Sequence, residues 1–89
     1  MKLRIGPELQ RHLAIVKRQG FSAAEAVSRA ARRWERLGKP DFAGIETGTT
    51  YGGTVVTVEP PAGMDAETVR RLLAWYFENW PARPPRYRF

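Results

Sequence analysis

The chain has 89 residues, of which 43% are hydrophobic and 11% aromatic, enough for one small folded domain and too many for a disordered chain. The absence of cysteine excludes disulfides, thiolate-bound zinc and thiol nucleophiles, and one histidine, His12, argues against a histidine metal site. No stretch approaches the roughly 18 apolar residues of a membrane helix, and no signal-peptide pattern opens the sequence, so we expect a cytoplasmic protein without metal or cofactor.

Charge is unevenly distributed along the sequence. Residues 1–40 carry ten Lys or Arg against three acids, a balance of +7, whereas residues 41–80 carry two against six, a balance of −4. The last nine residues add three arginines, which brings the net charge to +6. We therefore expect a polyanionic partner to meet the N-terminal helical region and the tail.

The first predicted element is a β-strand. Residues 2–5 alternate polar and apolar side chains, as a strand with one buried face does. Leu3 and Ile5 would lie on the buried face. Lys2 and Arg4 would point outward, so the strand offers two cations to a partner.

A helix is predicted next, from residues 6–8 to a glycine turn at residues 19–20. Pro7 suits its first position, where the N–H that proline lacks would have no partner, and Gly20 suits the left-handed residue that ends a helix. We expect His12 at the edge of the core and not in a chemical role. The apolar positions expected to face the core are Leu9, Leu13, Ile15 and Val16.

The second predicted helix has the densest positive charge in the chain. Ser22 and Glu25 form a Ser-x-x-Glu pattern that predicts a capping box at its start. Four arginines repeat at spacings of three and four on one face, which indicates either a solvated surface or an anion-binding surface. The arginines are Arg29, Arg32, Arg33 and Arg36, and the apolar face beside them is formed by Val27, Ala30, Ala31, Trp34 and Leu37.

Composition changes after residue 40. Residues 42–50 and 54–59 are rich in β-branched residues, and Tyr51-Gly52-Gly53 between them can supply the φ values of a tight turn. The sequence therefore predicts a β-hairpin made of these two segments. We interpret the two glycines as turn residues, since no phosphate-binding glycine motif is present.

A third helix is predicted after a proline-containing connector at residues 60–63. Asp65 can cap its first turn, and Pro81 should end it. Its wide apolar stripe should pack against the hairpin and the other helices, while Trp75 on the far side would be exposed and could anchor a protein partner. The stripe consists of Val69, Leu72, Leu73, Tyr76, Phe77 and Trp80.

Residues 81–89 form a tail whose three prolines favour an extended chain. It can lie along a phosphate backbone, dock on a partner subunit or fold back over its own core, and its expected contacts are Arg83, Arg86 and Arg88. Together the elements predict an α+β fold: a single small domain at residues 1–80, made of a strand-helix-helix part at 1–38 and a ββα part at 41–80, followed by the tail.

The order of alternating strand, helix, glycine turn, capping serine and helix over residues 2–37 resembles the ribbon-helix-helix family of DNA-binding proteins. The resemblance implies that two copies pair their N-terminal strands antiparallel and place this ribbon in the major groove. It implies a small repressor or antitoxin that regulates transcription as a homodimer. The C-terminal half would then contact a second protein.

The resemblance also implies which residues contact DNA. Lys2 and Arg4 would be the outward side chains of the ribbon. The backbone N–H groups of Ser22 and Ala23 would hold a phosphate at the start of the second helix. Arg29, about two turns further along, completes this set of expected contacts.

A second resemblance covers residues 22–89, where helix, hairpin, helix and basic tail are similar to the head-completion proteins of tailed phages. It implies a structural module whose tail docks on neighbouring proteins. From the aromatic residues of the third helix and the tail, we expect that a second protein would contact Trp75, Trp80 and residues 81–89. An RNA-binding ββα module would need exposed aromatics on its strands, and none is identifiable. Enzyme activity is not expected, because no pair of carboxylates or nucleophile with a base is spaced for chemistry.

Overall fold

The structure is a computed structural model that describes residues 1–79. Its elements are β1 (Lys2–Ile5), α1 (Pro7–Arg18), α2 (Ala23–Arg36), β2 (Thr54–Thr57) and α3 (Ala66–Asn79). The predicted α+β fold class is confirmed. Among residues 1–79, none of the helices has the length and apolar character needed to span a bilayer. The predictions for Trp80 and residues 81–89 lie outside the described residues.

The turn between α1 and α2 is built as the sequence predicted. Gly20 has a φ of +95°. The Phe21 N–H donates to Val16 O at 3.1 Å, which is the bond between the first and sixth residues of a Schellman motif. The Ser22 N–H donates to Glu25 Oε1 at 2.9 Å, and the Glu25 N–H donates to Ser22 Oγ at 3.1 Å. The predicted capping box is therefore confirmed.

The predicted β-hairpin between residues 42–50 and 54–59 is wrong. Residues 42–50 form no strand, and β2 pairs antiparallel with β1, so that Leu3 lies opposite Val56. The side chains of a short β-branched strand alternate between two faces, and this alternation fits any strand edge that has the same faces buried and exposed. β1 provides such an edge. The sheet thus joins the N-terminal and C-terminal parts of the chain.

The hydrogen bonds of this ladder show which backbone groups of β1 face β2. The Met1 amino group donates to Val58 O at 2.9 Å, and the Val58 N–H donates to Met1 O at 3.0 Å. Because bonded and non-bonded pairs alternate in an antiparallel ladder, Leu3 also bonds toward β2. The backbone groups of Lys2 and Arg4 point the other way, to the outer edge of β1.

The segment before β2 crosses the junction of β1 and α1 with its backbone in close contact. A side chain on Gly53 would collide with the carbonyl of Ile5, and one on Gly6 would collide with the carbonyl of Thr49. Only glycine allows this approach. These contacts place residues 46–53 against the start of α1 and leave no room for the first strand of a hairpin.

α3 begins as predicted, because the Thr68 N–H donates to Asp65 Oδ1 at 2.8 Å. The predicted exposure of Trp75 is wrong: it is 9% exposed, and the ring of Phe42 lies 6.3 Å from it. Leu37, predicted to face the core, is 58% exposed because α2 ends one residue before it. The core consists of Leu3, Ile5, Leu9, Leu13, Val16, Ala23, Ala26, Val27, Ala30, Val58, Val69, Leu72, Leu73, Ala74, Trp75, Tyr76 and Phe77.

Candidate nucleic-acid interface

The outer face of the two-stranded sheet carries the two cations predicted for it. Lys2 and Arg4 are exposed, while the alternate residues of β1 are fully buried. Thr57 lies opposite Lys2, and Val55, which is 44% exposed, lies opposite Arg4. The sequence did not place these two residues on this face, because its pattern predicts that β2 pairs with residues 42–50.

A second cationic surface lies on α2. Its four arginines are all exposed, and they follow one face of the helix over a length of about 10 Å. Within residues 1–79, the ion pairs are those of Glu67 with Arg70 and Arg71, so the α2 arginines form no ion pair with an acid in this part of the chain. We refer to Arg29, Arg32, Arg33 and Arg36 as the arginine row.

The first member of the arginine row is held in place by two aromatic residues. The guanidinium of Arg29 lies 4.2 Å from the centre of the Phe21 ring, which is a cation–π contact. The Arg29 side chain also lies close enough to the Tyr76 hydroxyl on α3 to act on its pKa. Burial raises the pKa of the Tyr76 hydroxyl, and the charges of Arg29 and Arg33 oppose that rise. These contacts fix one end of the row against α3.

The N-terminus of α2, where a phosphate was predicted, is occupied by a side chain of the same helix. The Ser22 N–H already donates to the carboxylate of Glu25. Ala23 is 7% exposed, so its backbone is covered. A phosphate at this position would have to displace a group of like charge. The structure therefore does not favour Ser22 and Ala23 as phosphate ligands.

Negative charge collects in a cleft of about 220 Å³ between α1, α3 and residues 46–48. Glu8, Glu46 and Glu78 line it, together with His12. His12 Nδ1 donates to Glu8 O at 3.0 Å, and its ring stacks on Phe77 with the centroids 5.2 Å apart. His12 is half-buried, as predicted. In the described part of the chain, no three His, Cys, Asp or Glu side chains are grouped to hold a metal.

No protein-family model, curated protein or solved structure matches the chain. The function proposed below therefore rests on the cationic surfaces of the sheet and of α2. Of the predicted DNA contacts, Arg29 belongs to the arginine row, whereas Lys2 and Arg4 lie on the sheet. Arg83, Arg86 and Arg88 lie outside the described residues. The other three members of the row were visible in the sequence as a repeat of arginines but were not singled out as contacts.

Proposed function

We propose that the chain binds double-stranded DNA and that the arginine row contacts its phosphates. The observation that carries this proposal is that the exposed arginines of the row have no acidic partner within residues 1–79. A guanidinium without a carboxylate partner keeps its full charge for a phosphate, which it binds through charge-assisted hydrogen bonds. Binding then releases counterions from the DNA, which supplies affinity without regard to sequence.

The length and anchoring of the row support this assignment over a merely solvated surface. A row of about 10 Å, laid parallel to the DNA axis, spans roughly three base steps of 3.4 Å. Arg29 is held against the Phe21 ring and lies near Tyr76, so part of the side-chain entropy that binding removes has already been lost on folding. A solvated face would need no such contacts.

In this proposal the chain is a cytoplasmic repressor or antitoxin of ribbon-helix-helix type that acts as a homodimer. The outer face of the sheet, with Lys2 and Arg4, would face the major groove. A second copy can add to β1 only at its outer edge, because β2 occupies the other edge. The phage-type alternative rests on α3 and the basic tail. Trp75 of α3 is buried, and residues 81–89 lie outside the described residues.

Fluorescence anisotropy with a mixed-sequence duplex tests the proposal. Between about 50 and about 200 mM salt, the logarithm of the affinity should fall linearly with the logarithm of the salt concentration, with a slope of about −0.9 per phosphate contacted. Arg33→Ala should make this slope shallower by about one. Arg71→Ala is the matched control, because it removes an arginine that is already paired with Glu67. Absence of binding at low salt, or equal effects of the two variants, would rule the proposal out.

A further inference from the structure

A side chain from α3 occupies the outer edge of β1. Arg70 Nη1 donates to the backbone carbonyl of Arg4 at 3.1 Å, and Arg70 Nη2 donates to Glu67 Oε1 at 3.1 Å. The Arg70 side chain is only 16% exposed, so it lies against the strand and not in solvent. This contact joins two residues that are far apart in the sequence.

The Arg4 carbonyl is one of the few backbone groups with which β1 can bind another strand. The backbone groups of Lys2 and Arg4 point away from β2, to the edge of this four-residue strand at which no other strand pairs within residues 1–79. A strand added at that edge would need the Arg4 carbonyl as an acceptor. While Arg70 holds this carbonyl, the edge is closed to a second strand.

We propose that the contact between Arg70 and Arg4 is an autoinhibitory latch on the edge of β1 through which two copies of the chain pair. This inference rests on the dimeric form of the proposed function and not on the arginine row. The latch is poised to open, because Arg70 Nε is buried without a hydrogen-bond partner among the described residues. An unsatisfied buried donor raises the free energy of the closed form.

The strand that fits the open edge is the β1 strand of a second copy. Antiparallel pairing centred on Leu3 sets each Leu3 beside that of the other chain and continues the apolar face across the new pair. The same register sets Lys2 opposite Arg4 of the second copy on the outer face. Like charges in this position disfavour pairing, and phosphates that neutralise them favour it. An open latch and bound DNA therefore promote the same dimer.

Sedimentation equilibrium of the full chain, without DNA, tests the latch. Arg70→Met removes the guanidinium but keeps an unbranched apolar side chain, and it should lower the dissociation constant of the dimer at least about tenfold, since neither chain must then break a charged hydrogen bond. Arg71→Met is the matched control. Arg71 also binds Glu67, at 3.2 Å, but it is not part of the latch, so the constant should not change.

Amide hydrogen exchange shows whether the dimer uses this edge. In the Arg70→Met dimer the Arg4 N–H should become protected, while the Leu3 N–H, which already faces β2, serves as the internal reference. Equal dissociation constants for wild type and Arg70→Met, an equal shift in Arg71→Met, a tight wild-type dimer, or a dimer with an unprotected Arg4 N–H would each overturn the latch. DNA binding is measured in a separate experiment. A result that overturns the latch therefore does not overturn DNA binding by the arginine row, and a failure to bind DNA does not overturn the latch.

Discussion

Arginine is used in two different ways on α2 and α3. On α2 the arginine row is exposed and has no carboxylate partner within residues 1–79, whereas on α3 both Arg70 and Arg71 are bound to Glu67. Arg70 is also largely buried and bonded to the backbone of β1. Equal formal charge therefore has unequal surroundings: the α3 arginines are bound within the fold, and the α2 arginines have no acidic partner in this part of the chain.

The sharpest test of this contrast removes most of the arginine row at once. The triple variant Arg32→Ala, Arg33→Ala and Arg36→Ala should weaken duplex binding at low salt by about a hundredfold or more, because it deletes three phosphate contacts. The free energy of unfolding should change by less than about 0.5 kcal/mol, since exposed and unpaired side chains contribute little to stability. Anisotropy and urea unfolding measure the two effects.

A loss of stability as large as the loss of DNA affinity would contradict the division between the two helices. The triple variant would then have shown that the row is part of the fold. Circular dichroism at the temperature of the binding assay is the necessary control, because it distinguishes a folded variant that does not bind from an unfolded one.

The converse experiment substitutes the α3 arginines. Arg70→Ala should lower the free energy of unfolding by about 1–2 kcal/mol, because it removes charged hydrogen bonds to the strand and to Glu67 as well as buried stem atoms. Arg71→Ala should cost about 0.5 kcal/mol or less, the usual value of an exposed ion pair. Urea denaturation at neutral pH compares them, and equal costs would show that the bond to β1 contributes nothing.

A smaller effect is expected from the residue that links the two helices. Tyr76→Phe keeps the ring in the core and removes the hydroxyl that lies near the Arg29 guanidinium. Arg29 then keeps only its contact with Phe21, so DNA affinity should fall by about threefold through looser positioning of one cation. Anisotropy resolves this change, and an unchanged affinity would mean that Tyr76 does not position Arg29 for binding.

The parts of this fold that could be predicted are those fixed by neighbours in the sequence. Ser22 and Glu25 cap α2 through contacts three residues apart, and Gly20 ends α1 because few other residues adopt its φ. The partner of β2 could not be predicted, since alternation in a short strand does not say which edge it meets. That choice depends on the close approach of Gly6 and Gly53 to distant carbonyls.

The same distinction applies to the candidate site. The arginine row follows from helical spacing and was visible in the sequence. The latch could not be predicted from the sequence. The partner of Arg70 is a backbone carbonyl on β1, and every residue type has such a carbonyl. Trp75 was misplaced for a related reason: the spacing identifies one apolar stripe on α3, but Phe42 covers a second side of that helix.

The smallest expected effect is a dependence of the free energy of unfolding on pH that arises on α3 and not on α2. A hydrogen bond from Arg70, and a weaker contribution from Arg71, lower the pKa of Glu67. A carboxylate whose pKa is lower in the folded state contributes stability above its unfolded pKa and loses it as the pH falls through the folded pKa. The urea midpoint should therefore decline below about pH 5, and Glu67→Gln should flatten part of that decline.

Glu35→Gln on α2 is the control, because Glu35 forms no ion pair within residues 1–79. If the Glu35 variant flattened the profile as much, the arginines of α2 would have an acidic partner after all, and the contrast between the two helices would fail.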